Sequence, residues 1–104
     1  MRESGSDPMR YRLSEAAYDD YLELYAEGVG RFGGPQAVRY SDSLERTFEQ
    51  LAINPGMARL REELADSVRI HPHGSHLIAY QEQDDGILIL RIRHARENWQ
   101  ERPI

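Results

Sequence analysis

Val68-Arg-Ile-His-Pro-His-Gly-Ser-His-Leu-Ile-Ala-Tyr80, followed by Gly86-Ile-Leu-Ile-Leu-Arg-Ile-Arg-His-Ala-Arg96, is the stretch that decides the fold. Its apolar and β-branched runs predict strands at about Ser67 to His71, Ser75 to Gln81 and Ile87 to His94. His71-Pro72-His73-Gly74 and Asp84-Asp85-Gly86 lie between them and carry turn chemistry, so consecutive strands should run antiparallel. Ile87-Leu88-Ile89-Leu90 is apolar on both faces, the mark of a strand inside a sheet rather than at its edge.

Upstream of this meander the periodicity changes from two to about 3.6. At roughly 100° per residue, Ala17, Tyr18, Tyr21, Leu22, Leu24, Tyr25, Val29 and Phe32 fall on one face of a helix, with Glu15, Asp19, Asp20, Glu23 and Glu27 on the other. Ser14 offers the N-cap, and the glycines from Gly28 to Gly34 end the helix. Pro35 suits the first turn of a second helix carrying Ala37, Tyr40, Ser41, Leu44, Phe48, Leu51 and Ala52, which Asn54-Pro55-Gly56 stops. Met57 to Asp66 is ambiguous: Leu60 and Leu64 stand at helical spacing among charges, which fits a short helical turn leading into the sheet. Arg10-Tyr11-Arg12-Leu13 alternates as a short first strand, and residues 1–8 read as a disordered leader or vector remnant ahead of one domain spanning 9–104. The expected class is therefore α+β: a short N-terminal strand, an antiparallel helical hairpin, then a three-stranded antiparallel meander.

Composition narrows the function. A chain of 104 residues with net charge -5 holds one modest core and lacks the strongly basic footprint of a general nucleic-acid or anionic-membrane binder. All 13 cationic residues are arginine, so any cationic site works through planar, permanently charged guanidinium groups, and no lysine can act as a base. The lack of cysteine fits a reducing cytosol, and no apolar run approaches the ~20 residues of a membrane span. A cytoplasmic location is expected, with no cofactor. His71, His73 and His76 do not suggest a metal site, because a Pro-Gly turn should point their side chains apart and zinc needs three or four converging ligands.

The order of elements resembles the ParE and RelE toxins of bacterial toxin-antitoxin modules, the ParE branch more closely. The likeness is carried by Tyr11-Arg12-Leu13-Ser14, the acidic helix after it, Leu51 to Pro55-Gly56, Val68-Arg69, Gly74 to Tyr80, and Ile89-Leu90-Arg91-Ile92-Arg93-His94-Ala95-Arg96, and spans about Met9 to Trp99. It implies a toxin that poisons DNA gyrase by binding and is held inactive in a hetero-oligomer by a ParD-like antitoxin whose tail wraps along its surface. No sequence-specific nucleic-acid binding is implied. The RelE branch instead cleaves messenger RNA on the ribosome, which needs a proton acceptor, a proton donor and cations on the developing phosphorane. Arg69, His76, Tyr80, His94 and Arg96 are the candidates for that alternative. The chain departs from the RelE pattern in having no lysine and, after Arg96, no aromatic residue but Trp99, although some RelE relatives use a histidine about where His94 falls.

On a regular last strand, His94 would share the helix-packed face with Leu88, Leu90 and Ile92, as a hydrogen-bonded residue at the core's edge. Ile87, Ile89, Arg91 and Arg93 would then form a half-apolar, half-cationic surface for an acidic protein segment. For the gyrase-poisoning reading, Arg91, Arg93, Arg96 and Trp99 are the expected target-facing residues. Tyr18, Leu22, Tyr25 and Tyr40 are the expected antitoxin contacts, since so many large rings exceed what a small core needs and tyrosine favours interfaces.

Overall fold

The structure, a computed structural model, describes residues 10–97. Strand β1 (Arg10–Leu13) leads into helices α1 (Glu15–Phe32) and α2 (Gly34–Ile53), and the chain then forms β2 (Arg59–Leu60), β3 (Arg69–His73), β4 (His76–Gln83) and β5 (Gly86–His94). The five strands make one sheet in the order β1-β5-β4-β3-β2. Only the β1–β5 pairing is parallel. The class is α+β as the sequence predicts, with β2 as an addition.

The helical hairpin covers one face of the sheet. Leu44, Phe48 and Leu51 of α2 and Ala17 and Leu24 of α1 meet Ile78, Tyr80, Ile87, Ile89 and Ile92 there. Each large apolar side chain removed from water contributes about 1.5–3 kcal/mol. The other face carries a smaller cluster of Val68 and Ala79, with Leu64, Ala65, Ile70, Leu77 and Leu90 against it. Burial on both sides explains why Ile87 to Leu90 is apolar throughout.

Three local expectations need correction. Met57 to Asp66 is not a helical turn; a short 3-10 turn at Pro55–Met57 precedes β2, and Leu64 packs under the far face. His71, Pro72 and His73 belong to β3, so the reversal is made by Gly74 and Ser75 alone. Proline fits inside this strand because β2 pairs only with Arg69 and Ile70, leaving Pro72 on an open edge that needs no N–H. Finally, β5 is not regular: Tyr80 pairs with Ile89 and Ala79 with Arg91, leaving Leu90 as an extra residue. That bulge reverses the alternation, so Ile87, Ile89 and Ile92 face the helices while Leu90 joins the far cluster.

The same place marks a change in what protects the sheet edge. β1 accompanies β5 only as far as Leu13 opposite Ile89, and beyond it α1 supplies the partners. The Ser14 N–H donates to the Ile89 carbonyl at 2.9 Å, and the Ser14 hydroxyl donates to the Leu90 carbonyl at 2.9 Å while accepting from the Ala17 N–H as the helix N-cap. The Asp20 carboxylate accepts the Ile92 N–H at 3.0 Å and both Arg91 Nε and an Arg91 terminal nitrogen at 2.8 and 2.9 Å. A helix side chain thus closes an edge that would otherwise offer free N–H groups to another chain.

Candidate functional site

At the turn end of the helical hairpin, where α1 ends and α2 begins, a cleft of about 440 Å³ separates the helices from the β3–β4 turn and the end of β5. Leu24 and Ala37 supply apolar lining, and Tyr25, Phe32 and Tyr40 add aromatic rings. Polar lining comes from Glu27, Arg31, Gln36, Ser75, His76, His94 and Arg96. Gly74 keeps the turn close to α2: its φ is +56°, and a Cβ there would lie 2.7 Å from the Tyr40 hydroxyl oxygen.

Histidines and hydroxyls join the turn to α2. Tyr40 Oη donates to the His73 carbonyl at 3.0 Å, which leaves it to accept from His76 Nδ1 at 2.8 Å. That arrangement assigns the proton of neutral His76 to Nδ1 and leaves Nε2 as an acceptor. His94 Nδ1 accepts the Arg96 backbone N–H at 3.1 Å, so its proton is assigned to Nε2. The two imidazoles stand edge to face with centroids 5.6 Å apart. His73 is held by Ser43 at Nε2 and Thr47 at Nδ1, each at 3.0 Å. Contrary to the expectation from its spacing, the turn does not splay His73 and His76; both rings pack on Tyr40, because the two residues pair across a two-residue reversal and share the helix-facing side. Among the described residues no group of three or more His, Asp or Glu side chains could hold a metal.

The residues named for messenger RNA cleavage divide into two sets. His76, His94 and Arg96 meet in the cleft. Arg69 and Tyr80 pair with each other four residues further along the same hairpin, about 13 Å away at ~3.3 Å per residue. Tyr80 is fully buried and donates to the Pro55 carbonyl at 2.6 Å, and Arg69 donates to the Ala58 carbonyl at 2.6 Å and pairs with Glu82. Both anchor the α2–β2 connection. The cleft pairs an acceptor with a donor nitrogen near two guanidinium groups, which suits it to bind an anion, but the five candidates do not form one site.

The expected cationic face of β5 also needs correction. Ile87 and Ile89 lie in the core, Arg91 is locked to Asp20, and Arg93 is 3% exposed and paired with Glu97. His94 does face the helix side, but with Ile92 rather than with Leu88 and Leu90, because the bulge changes the alternation between them. Of the proposed target contacts, Arg96 is exposed at the cleft, and Trp99 lies outside the described residues.

The expected antitoxin contacts divide as well. Tyr25 and Tyr40 line the cleft, and Tyr18, Leu22 and Tyr25 belong to a stripe that continues through Val29 and Phe32 at alternating spacings of four and three. Tyr18 is 55% exposed, Leu22 49%, Val29 39% and Phe32 62%. At about 100° per residue these five side chains fall within an arc of ~80°, a seam of the width that a second helix can cover. Sequence reasoning did not single out Arg31 or the Asp20 contact. Arg31 had one visible signal, as the first cation after an acidic run on α1.

His71, His73 and His76 all have pKa values below the ordinary imidazole value, with burial as the first cause. His71 lowers His73 further; His94 and His73 lower His76 further, while Glu27 and Glu97 act the other way. The unfolded chain therefore binds protons near pH ~6.5 that the native protein does not. Their stabilising contribution is present above about 6.5 and is lost as pH falls through the depressed values. The melting temperature should be lower at pH 5.5 than at 7.5, and His73→Gln and His76→Gln together should reduce the difference. Identical melting temperatures at the two pH values in the unsubstituted protein would contradict the assignment.

Comparison with known proteins agrees with this architecture. Residues 11–99 match the family described as ParE toxin of type II toxin-antitoxin system, parDE. The chain is 33% identical over 88 residues to the Caulobacter vibrioides protein named Toxin ParE1, covering 85% of this chain and 91% of that protein. It is 31% identical over 88 residues to the Mycobacterium tuberculosis protein of the same name, covering 84% and 90%. A solved structure described as the chromosomal ParDE TA system from P. aeruginosa shares the fold at 22% identity, with a TM-score of 0.70 over 86% of this chain and 98% of that one. With a helical hairpin laid over a meander and the family match running from Tyr11 through the last described strand, this chain belongs to the ParE toxin family of type II toxin-antitoxin systems.

Proposed function

We propose that this chain is a bacterial cytoplasmic toxin that poisons DNA gyrase by binding, without catalysis of its own, and that a ParD-type antitoxin neutralises it by laying an amphipathic helix along α1. The observation that carries the antitoxin half is the exposed stripe from Tyr18 to Phe32, an apolar seam on a chain of this family. The solved relative belongs to a ParDE system, which supports a ParD-type partner. Gyrase as target rests on family membership. The non-catalytic reading is supported by the division of Arg69 and Tyr80 from His76, His94 and Arg96 and by the absence of lysine.

Purified toxin should inhibit supercoiling by gyrase, or trap gyrase on DNA, while messenger RNA on ribosomes stays intact. Added antitoxin should restore supercoiling. Cleaved messenger RNA with unimpaired gyrase would replace this reading with the ribonuclease one.

A further inference from the structure

We propose that the cleft at the turn end of the helical hairpin is the anchor point for an acidic segment of the protein partner, taking one apolar side chain against Leu24 and Ala37 and carboxylates against Arg31 and Arg96. This rests on the reading that a partner helix lies along α1.

Continuity is the first argument. Tyr25 and Phe32 belong both to the stripe and to the cleft lining, so a helix following the seam reaches the cleft at its end. Charge is the second. Arg31 and Arg96 are exposed, and neither guanidinium is paired with a carboxylate among the described residues; Arg31 rests over the Phe32 ring at 5.5 Å. Guanidinium groups recognise carboxylates through paired hydrogen bonds. Elsewhere the exposed side of α1 is acidic, with Glu15, Asp19 and Glu23, so a partner's carboxylates are repelled along the first turns and accepted only beside Arg31. This contrast sets the register of the partner on the helix as well as its affinity.

The third argument concerns the kind of anion. The chain carries a net charge of -5, and Glu27 lines the cleft with Glu97 close enough to His76 to act on its titration. A run of phosphates would meet that field at each step, whereas one or two carboxylates need only the local pair of arginines. The donor nitrogen of His94 can serve the same carboxylate, and the apolar lining has no use for a phosphate backbone.

Calorimetry of the toxin with its cognate antitoxin tests the proposal. The double variant Arg31→Glu/Arg96→Glu should weaken binding about 10- to 100-fold, with the loss shrinking at high salt. Reversing a partner carboxylate to arginine should restore part of it. Both residues are exposed, so the melting temperature should not move; if it does, Arg31→Gln/Arg96→Gln gives the same reading without charge reversal. Wild-type affinity in the double variant, with binding lost on Leu22→Asp, overturns the anchor and leaves the helix-docking reading standing. Wild-type affinity in both variants overturns the two together. Loss of messenger RNA cleavage on His94→Gln, with antitoxin binding unchanged, assigns the cleft to nucleic acid and also overturns the anchor.

Discussion

Asp20→Ala is expected to destabilise the protein by about 2–3 kcal/mol, a large share of the ~5–15 kcal/mol available to a small domain. Asp20 satisfies three donors at once, the two Arg91 nitrogens and the Ile92 N–H. Its side chain is 12% exposed and that of Arg91 29%, so the pair is shielded but not dry, which keeps the expected loss below that of a fully buried ion pair. Alanine would leave the guanidinium group and the N–H without partners and would open the β5 edge beyond Leu13. Asp20→Asn should fall between wild type and Asp20→Ala, because its amide oxygen can still accept from Ile92. Urea unfolding of the three proteins measures this, and a loss below about 0.5 kcal/mol for Asp20→Ala would show that the contact contributes little.

The second large effect is expected in binding rather than in folding. Leu22→Asp combined with Phe32→Asp should weaken the antitoxin complex by at least about 100-fold, since central apolar anchors commonly carry 2 kcal/mol or more each. Both side chains are about half exposed in the free chain, so the substitutions should leave the melting temperature nearly unchanged. The double variant should also stay toxic in the presence of antitoxin, which separates lost neutralisation from lost folding. A change in affinity of less than about threefold would remove the stripe as the docking surface.

These two predictions differ in how far the residues announced themselves. Tyr18, Leu22 and Tyr25 were legible as interface candidates because a helix of known period carries more large apolar side chains than a small core can take. In the sequence Asp20 is one of five acidic residues on the helix face opposite the apolar one. Nothing in its local spacing indicates that α1 passes the β5 edge where β1 stops, since that depends on packing between segments about 70 residues apart. The grouping of Ile87 and Ile89 with Arg91 and Arg93 on one face fails for a related reason. The bulge at Leu90 comes from strand pairing, and one extra residue exchanges the faces of everything after it.

The sequence by itself determined the order of elements, the helical hairpin, the antiparallel meander, the cap at Ser14 and the family, because periodicity and turn chemistry are local properties that survive without tertiary context. Only the tertiary structure decided that Arg91 is an internal ion pair, that Tyr80 and Arg69 anchor the α2–β2 connection, and that His76, His94, Arg31 and Arg96 share one cleft. Those facts depend on which segments meet across the fold. Chemistry that requires several side chains to converge is therefore invisible in the order of residues until the chain has closed on itself.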